Sequence, residues 1–339
     1  MRAVVIMNST SGTSAIATKE GTPLEHEVAI LAALRTHGIE AEMRQTTQED
    51  SGAGVSAQAA AEQVDVVIAA GGDGTVHAVA RGLIGTQSAL GIIALGTMNN
   101  LAHSLNLPVT IEEACAVIAT GETHAIDAGL INDQFFLEVV GVGLEAALFA
   151  VAEEVKGPGF LVTLGGLFKG LRILLAFQSA PLRISFDEHR RRPYTAIQVT
   201  ICNARYYGAH FELVPRALMD DGLLDVVIFK QFNKLDYIRH ALSISQGRRT
   251  YQPRIMHRQV TSVRISAKHP LEIQADGRSC GQTPATVTIT PGALRVRVRA
   301  PVERLRLPDQ VPQLSTATSC ETQTYRFLER RQDTGTSQV

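Results

Sequence analysis

The chain has 339 residues, of which 45% are hydrophobic and 19% are charged, and its formal net charge is -1. This composition supplies enough apolar material for a sizeable core, and it excludes a chain that is disordered throughout or collagen-like. A length of this order favours two domains.

The charges are divided unevenly along the chain. Residues 1–150 contain 5 lysines and arginines against 17 acidic residues, and the remainder contains 27 basic against 16 acidic residues. Because DNA binding relies on basic side chains that neutralise phosphates, the acidic first half predicts no nucleic-acid partner. The basic second half favours a peripheral position against anionic lipid headgroups, and a scattered, solvated basic surface is the alternative.

The sequence shows no secretory or membrane-spanning segment. The apolar run from Ala3 to Met7 is too short for a signal peptide, and the stretch from Gly159 to Phe177 is interrupted by Lys169 and Arg172. The four cysteines lie far apart without metal-binding spacing, which favours a reduced compartment. We therefore expect a cytoplasmic protein, peripheral to the inner membrane face where it meets lipid, and leave a homodimer open.

The first half alternates short apolar strands with helices. Strands are predicted at Ala3 to Met7, Ala41 to Gln45, Val64 to Ala69 and Leu90 to Leu95, and helices at Leu24 to Thr36, Val55 to Gln63, Val76 to Ile84 and Ile111 to Ala119. This alternation predicts an open, mostly parallel sheet covered on both faces. Such sheets bind ligands at the carboxyl ends of their strands.

From about His124 strand-like runs become frequent. They lie at Phe135 to Val140, Arg183 to Phe186, Thr195 to Cys202, Leu224 to Phe229, Val263 to Ser266, Leu271 to Gln274, Thr286 to Ile289 and Leu294 to Arg299, and a helical stretch from Leu144 to Ala176 is broken at residues 157–159. Turn signals such as Asp221-Gly222 and Pro291-Gly292 separate the strands. We predict an α/β domain over 1–123, a β-rich antiparallel domain over 124–304 and a mobile tail over 305–339.

A glycine-rich loop follows the third predicted strand. It contains Gly71, Gly72, Asp73, Gly74 and Thr75 and opens a predicted helix. Such a junction presents main-chain N–H groups to an anion, and glycines allow phosphate oxygens to approach closely. Asp73 is expected to engage Mg²⁺ or a metal-bound water, and Thr75 to cap the helix. A plain strand-turn-helix junction is the alternative.

Two further loops end neighbouring strands. Gly96, Thr97 and Asn99 follow the fourth strand, and Asn8 to Gly12 follows the first. Ordinary capping or a solvent loop would explain either one alone, but parallel strands bring all three loops to one edge as a nucleotide cleft. No lysine lies between Lys19 and Lys156 and no GxxxxGK[ST] motif occurs, which excludes a Walker-type loop.

A competing dinucleotide fingerprint lies at Gly141 to Ala146. It satisfies G-x-G-x-x-[GA] after a predicted strand, but after Glu154 no acidic residue occurs until Asp187. The acid that would bind a ribose about 20 residues later is therefore missing. We judge this motif the weaker candidate.

The paired loops Gly71 to Thr75 and Gly96 to Asn100 closely resemble the catalytic domain of the diacylglycerol kinase and sphingosine kinase superfamily, in particular the soluble bacterial diacylglycerol kinase-like lipid kinases. The resemblance runs from Asn8 to about Arg299 and implies a diacylglycerol kinase-like and NAD kinase-like fold. It places nucleotide-binding residues at Asn8, Gly12, Thr46 or the adjacent Thr47, Gly71, Gly72, Asp73, Gly74, Thr75, Gly96, Thr97 and Asn99.

The resemblance also implies a metal site and a general base. Residues 202–208 and 215–226 are similar to the family's N-x-x-Y-x-G and P-x-A-x-x-D-G-L-L-D-V segments, which implies Mg²⁺ ligands at Leu218, Asp221 and Leu223. The family's D-G-E base motif matches Asp276, with Arg278 in place of glutamate. Plain turns are the alternatives at both places. Arg278 fits two roles, neutralising the transferring phosphoryl group or contacting a lipid phosphate.

Further departures are Ser9 for proline, Asn100 for aspartate and His103 for arginine. With these departures, the resemblance still implies an Mg²⁺-dependent, ATP-using lipid kinase, with Asp276 and Asp73 as catalytic residues and a diacylglycerol-like or sphingoid-like lipid at a membrane surface as its substrate. An NAD kinase-like enzyme acting on a soluble substrate and a catalytically silent nucleotide or lipid binder are the alternatives.

Overall fold

The computed structural model describes residues 1–8, 22–154, 169–170, 172–173, 176–187, 189, 191–207, 211–230, 239 and 255–299. All of these lie in one compact unit that spans residues 1–305. The predicted loop at 9–12, the helix break at 157–159 and the predicted tail lie outside the described residues. Among the described helices, none is both long and apolar enough to cross a bilayer.

Six helices and seventeen strands are described in this part of the chain. The helices are α1 Pro23–Thr36, α2 Ala53–Ala61, α3 Asp73–Leu83, α4 Asn100–Ser104, α5 Ile111–Thr120 and α6 Leu144–Glu154. The strands of the first half are β1 Ala3–Met7, β2 Ala41–Gln45, β3 Val66–Gly71 and β4 Ala89–Ala94. Those of the second half are β5 Glu122–Ile131, β6 Gln134–Phe136, β7 Val139–Gly143, β8 Ala180–Phe186, β9 Arg192–Cys202, β10 Tyr206–Tyr207, β11 Phe211–Glu212, β12 Leu224–Lys230, β13 Ile255–Val260, β14 Ser262–Ala267, β15 Glu272–Ala275, β16 Arg278–Gln282 and β17 Ala285–Val298.

The first half forms the predicted parallel sheet, in the strand order β2-β1-β3-β4. Every residue of β1, β3 and β4 is buried, because helices cover both faces of the sheet. Alternate strand residues pack with α2 and α3 on one face and with α1 and α5 on the other. The carboxyl ends of the four strands therefore lie along one edge, as the sequence predicts.

The second half is antiparallel and β-rich, which confirms the predicted fold class. Its strands continue the same sheet, which holds fifteen of the described strands, and only β10 and β11 pair separately. The stretches around Pro291-Gly292 form one long strand, β17, with an irregularity between Thr290 and Leu294, and not two strands as predicted. Near its end β17 pairs with β4 in parallel, so the chain returns to the first sheet before residue 299.

Strand β5 is absent from the sequence prediction. The strand contains Asp127, and aspartate is a residue type that strands usually avoid. The Asp127 residue is also almost fully buried, with 2% of its surface exposed. Its carboxylate accepts the main-chain N–H groups of Gly222 and Gly292, at 2.7 Å and 2.8 Å. The turn at Gly222 and the irregular part of β17 at Gly292 are thereby tied to β5 by long-range hydrogen bonds, which local sequence patterns do not reveal.

Candidate active site

The glycine loop at the end of β3 continues directly into α3. The helix begins at Asp73, and the main-chain oxygen of Gly72 accepts the N–H groups of Thr75 and Val76. Gly72 is therefore the N-cap, and the prediction that Thr75 caps the helix is wrong. Thr75 is buried and packs over Gly71, where a Cβ would approach the Thr75 Oγ1 to 2.8 Å.

The glycines of this loop serve different purposes. A Cβ at Gly71 would collide with Thr75, and one at Gly72 would touch the Cα of Gly96 at 3.4 Å. A Cβ at Gly74 would meet no atom within 4 Å. Of the three glycines that are expected to admit a phosphate, Gly74 is therefore the one that borders open space.

The loop after β4 lies directly against the first loop, as predicted from the strand order. A Cβ on Gly96 would approach the Cα of Gly72 to 2.6 Å, so the two backbones are in contact. Asn99, in the left-handed region with φ 49°, accepts the Gly96 N–H at 3.0 Å and donates its Nδ2 to the Gly96 oxygen at 2.8 Å. The Asn99 side chain therefore shapes this turn, next to Thr97.

Asp73 fastens the two loops together. Its Oδ2 accepts the main-chain N–H of Asn99 at 3.0 Å, and its Oδ1 accepts that of Asn100 at 2.8 Å. Such charge-assisted bonds are roughly twice as strong as neutral ones. The carboxylate expected to engage Mg²⁺ thus has a direct structural task. The buried Oδ1 of Asn100 has no hydrogen-bond partner among the described residues.

The outer strands complete this edge. Asn8 follows β1, and Thr46 follows β2 and donates its main-chain N–H to the Met7 oxygen at 3.0 Å. Thr47 instead bonds Asp50, whose carboxylate accepts the N–H groups at the start of α2. Asn8 and Thr46 therefore share the edge with the glycine loops, and Gly12 lies outside the described residues.

A buried pair of ionisable side chains, His77 and Glu138, lies behind the loops. The His77 Nε2 is 3.0 Å from the Glu138 Oε1, and the two side chains are 5% and 4% exposed. Burial alone would lower the pKa of His77, but the charges of Glu138, Asp276 and Asp73 raise it to about 9. Burial raises the pKa of Glu138 to about 7, and the charge of His77 opposes that rise, so at neutral pH the pair keeps a proton on His77.

Asp276 lies in the hairpin turn between β15 and β16. Its carboxylate accepts three main-chain N–H groups, from Leu137 at 2.7 Å, Glu138 at 2.9 Å and Val139 at 3.0 Å. The turn is thereby fixed against the start of β7. Since Glu138 donates its N–H to Asp276 and contacts His77 of α3 through its side chain, the predicted base is linked to the helix that follows the glycine loop.

The sequence patterns predict no role for His77 or Glu138. A signal for His77 exists, because it lies four residues after Asp73 and so shares a face of α3 with it. Glu138 has no comparable signal, because its partner is distant in sequence. Asn203, in the segment with the family resemblance, holds the Glu138 backbone: its N–H donates to the Glu138 oxygen at 2.8 Å.

The predicted metal residues lie in the turn before β12. Asp221 accepts the Leu223 N–H at 3.0 Å, and Leu218 lines a cleft together with His124 and Arg205. Burial, followed by the charges of Asp225, Asp127 and Asp220, raises the pKa of Asp221. Within the described ranges, no three His, Cys, Asp or Glu side chains form a metal site, so a cation here would need the main-chain oxygens of the predicted set.

The dinucleotide fingerprint has a structural explanation. Strand β7, which contains Gly141, pairs antiparallel with β9 and β15 and is not part of a parallel βαβ unit. A Cβ at Gly141 would lie 2.6 Å from the Glu145 Oε1. That buried carboxylate accepts bonds from Gln198, Thr200 and Gln274. Gly141 therefore makes room for Glu145, which explains this glycine without a bound dinucleotide.

Two family models match the chain. Residues 2–131 match the diacylglycerol kinase catalytic domain, and residues 138–298 match the YegS C-terminal NAD kinase beta sandwich-like domain. The first model covers the glycine loops, and the second covers Asp276 and the predicted metal turn.

Similar proteins extend over most of the chain. The diacylglycerol kinase of Bacillus subtilis (strain 168) is 27% identical over 288 residues, which are 84% of this chain and 91% of that protein. The diacylglycerol kinase of Staphylococcus epidermidis (strain ATCC 12228) is 30% identical over 230 residues, 66% of this chain and 71% of that protein. A crystal structure of a diacylglycerol kinase from Bacillus anthracis str. Sterne has the same fold, with a TM-score of 0.67 at 20% sequence identity. The superposition covers 88% of this chain and 97% of the Bacillus anthracis chain.

Proposed function

Because the chain belongs to the diacylglycerol kinase family, we propose that it is an ATP-dependent kinase that phosphorylates a hydroxyl group of a diacylglycerol-like or sphingoid-like lipid. The observation that carries this proposal is a chain of contacts from the glycine loop to Asp276. His77 lies one helical turn after Asp73 on α3, and its Nε2 is 3.0 Å from the Glu138 Oε1. The main-chain N–H of Glu138 in turn donates to the Asp276 Oδ1 at 2.9 Å. These contacts support a site in which the proposed phosphate-binding edge and the proposed base act on one substrate.

The nucleotide side of the site fits a triphosphate. Gly74 borders open space at the start of α3, and Asp73 and Asn99 hold the second loop against the first. ATP bound there would supply the γ-phosphoryl group. Main-chain N–H groups at a helix start favour negative charge, so binding does not require the lysine that this stretch lacks.

The acceptor side of the site depends on Asp276. A carboxylate offers about four acceptor positions, and three main-chain N–H groups occupy three of them, which leaves about one for a substrate hydroxyl. In the transfer the hydroxyl oxygen bonds to the γ-phosphorus while the bond from that phosphorus to the β-γ bridging oxygen breaks. ADP leaves, and the hydroxyl proton passes to Asp276.

The predicted Mg²⁺ residues fit a hard cation. The Asp221 carboxylate and the Leu218 and Leu223 main-chain oxygens are all oxygen ligands, and the crowding of Asp221 by neighbouring carboxylates favours a cation. Bound there, Mg²⁺ would stabilise the acidic turn. The Asp221 carboxylate, whose Oδ1 accepts the Leu223 N–H, would hold the ion together with the main-chain oxygens of Leu218 and Leu223.

A catalytically silent binder is the second candidate function. The three main-chain bonds to Asp276 would serve equally well to fix a turn, and Arg278 stands where the family's motif has glutamate. Such a protein would bind ATP or lipid without turnover.

A mixed-micelle assay distinguishes these candidates. Purified protein with Mg²⁺ and γ-labelled ATP is offered diacylglycerol, sphingoid bases, a total lipid extract, NAD and sugar phosphates, and products are identified by mass. Label in a lipid product supports the proposal. Label in NAD or a sugar phosphate would reject the lipid kinase and indicate a kinase that acts on a soluble substrate. ATP binding without any labelled product would favour the silent binder.

A further inference from the structure

A buried carboxylate at the start of α6, that of Glu145, takes no direct part in the proposed transfer. Glu145 is 6% exposed, and side chains of β9 and β15 donate hydrogen bonds to it. Its Oε2 accepts bonds from the Gln198 Nε2 at 2.6 Å and the Thr200 Oγ1 at 2.7 Å, and its Oε1 accepts one from the Gln274 Nε2 at 2.9 Å. Because an ionised carboxylate can only accept, Gln274 must turn its amide nitrogen towards Glu145 and its amide oxygen away from it.

The amide oxygen of Gln274 faces the turn that contains Asp276. Gln274 lies near the end of β15, and its Oε1 accepts the Gly277 main-chain N–H at 3.0 Å. Asp276 and Gly277 form the two-residue connection between β15 and β16, and both are in the left-handed region, with φ values of 44° and 76°. A single amide group therefore joins the buried Glu145 carboxylate to the Asp276 turn.

Helix α6 contacts this turn at a second point. A Cβ on Gly277 would approach the Phe149 Cζ to 3.0 Å, so the Phe149 ring lies against this glycine. Phe149 follows Glu145 by four residues, and the two side chains therefore share one face of α6. The Gly277 main chain is thus held against α6 by one hydrogen-bonded amide and one aromatic contact.

The Asp276 carboxylate can keep its place only if the turn keeps its place. It accepts the main-chain N–H groups of residues 137–139, beside the start of β7. Those bonds require the turn to lie at a fixed distance from β7, and Gln274 holds the turn there. A misplacement of about 1 Å between reacting groups can cost on the order of 100-fold in rate. Loss of the Gln274 bonds should therefore slow a transfer in which Asp276 takes the proton.

We propose that Glu145 and Gln274 are positioning residues, which hold the turn so that Asp276 can take the proton of the lipid hydroxyl. The inference rests on the proposed function and adds to it two residues outside the glycine loops. Neither side chain needs to touch the substrate, because Glu145 acts on Gln274 and Gln274 acts on the Gly277 N–H. The effect is expected on the rate of transfer and not on ATP binding, since the glycine loops belong to the first half of the chain.

The test removes or exchanges the two bonds of the Gln274 amide. Gln274→Leu removes both bonds at a similar side-chain size. Gln274→Glu keeps an acceptor for the Gly277 N–H but sets two carboxylates against each other. The double variant Glu145→Gln/Gln274→Glu restores the pattern with the groups exchanged, because the amide nitrogen introduced at 145 can donate to the carboxylate introduced at 274.

Two control variants separate positioning from a general loss of stability. Gln282→Leu breaks the exposed bond from the Gln282 Nε2 to the Glu272 Oε1, 2.6 Å long, at the far end of the same hairpin. Val263→Ala leaves a cavity in the core of the second half, where Val263 is 1% exposed, and lowers the melting temperature. Each protein is measured for kcat, for the KM of ATP and for melting temperature. Amide hydrogen exchange is followed by mass spectrometry, without ligands, in peptides that contain Gly277 and residues 137–139.

We expect Q274L and Q274E to lower kcat about tenfold or more with the KM of ATP unchanged, and Q274L to speed exchange at Gly277 by a similar factor. The double variant should recover kcat to within about threefold of the wild type, and Q282L and V263A should keep the wild-type kcat. Wild-type exchange at Gly277 in Q274L overturns the proposal, as does an equal fall of kcat in V263A at the same melting temperature. Q274L decides the outcome if the double variant fails to fold.

The exchange measurement separates this inference from the proposed function. If the wild type phosphorylates lipid and Q274L has the same kcat, the positioning role fails and the kinase proposal stands. If the wild type phosphorylates no lipid, the kinase proposal fails, and faster exchange at Gly277 in Q274L still shows that Glu145 and Gln274 hold this turn.

Discussion

Gly96 lies so close to Gly72 that a Cβ on Gly96 would approach the Cα of Gly72 to 2.6 Å. This contact joins the ends of β3 and β4 into one surface, and Asp73 fixes it by bonding Asn99 and Asn100. Two of the motif glycines are therefore required for packing between the loops, and Gly74 alone borders open space.

Alanine substitutions at Gly74 and Gly96 should separate ligand binding from folding. Gly74→Ala is expected to leave the melting temperature nearly unchanged, because its Cβ meets no protein atom, and to weaken ATP binding about tenfold by obstructing a phosphate. Gly96→Ala should lower both stability and ATP binding. Calorimetric titration and thermal melting measure the two effects, and unchanged ATP affinity in Gly74→Ala would show that the phosphates bind elsewhere.

Asp276→Asn should lower kcat roughly 100-fold, because an amide cannot take the hydroxyl proton. It also places an NH₂ group against one of three main-chain donors, so some stability is lost. Asp187→Asn is the matched control: Asp187 has the same φ of 44°, and its carboxylate accepts the Thr261 and Ser262 N–H groups away from the site. A similar loss of kcat in both variants would mean that Asp276 acts only through stability.

Stability should fall as the pH rises between about 6.5 and 9. The pKa of His77 is raised from 6.5 to about 9 in the folded protein, so the folded state binds the proton more tightly. This stabilisation is complete below 6.5 and is lost as the pH rises through 9. The double variant His77→Gln/Glu138→Gln should flatten the melting temperature over this window, because Glu138 left without His77 would itself bind a proton more tightly in the folded state. The exposed His37→Gln should not flatten it. A wild-type curve that is flat or rising there would contradict the assignment.

Mg²⁺ should raise the melting temperature by binding at the turn before β12. Asp221→Asn removes the only predicted carboxylate ligand, so the increase produced by millimolar Mg²⁺ should disappear. Asp133→Asn, in an exposed turn with φ 65°, serves as the control and should keep the increase. Retention of the full Mg²⁺ effect in Asp221→Asn would place the ion elsewhere.

Much of the first half could be predicted from its sequence. Strands β1 and β2 were predicted to the residue, because their apolar or alternating runs end at clear turn signals. The start of α3 was misplaced by three residues, because Thr75 is a common capping residue, and its role in packing over Gly71 depends on tertiary contact. Residue preferences therefore predict which helices and strands are present, and tertiary packing determines the residue at which α3 begins.

The relations between distant residues could not be predicted. The bonds from Asp127 to Gly222 and Gly292 and the pairing of His77 with Glu138 join residues that are far apart in sequence. The spacing of apolar residues along a single helix or strand carries no information about contacts between residues so far apart. The glycine motifs, by contrast, were visible, because a turn that brings two backbones together restricts the residue type at each position.

The most direct measurement is a crystal structure of the protein with Mg²⁺ and a non-hydrolysable ATP analogue. We expect the triphosphate at the edge formed by Gly74, Gly96 and Asn99, with its oxygens within hydrogen-bond distance of main-chain N–H groups and its γ-phosphate facing Asp276. A nucleotide bound away from this edge, or a γ-phosphate facing away from Asp276, would contradict transfer to a lipid hydroxyl at this site.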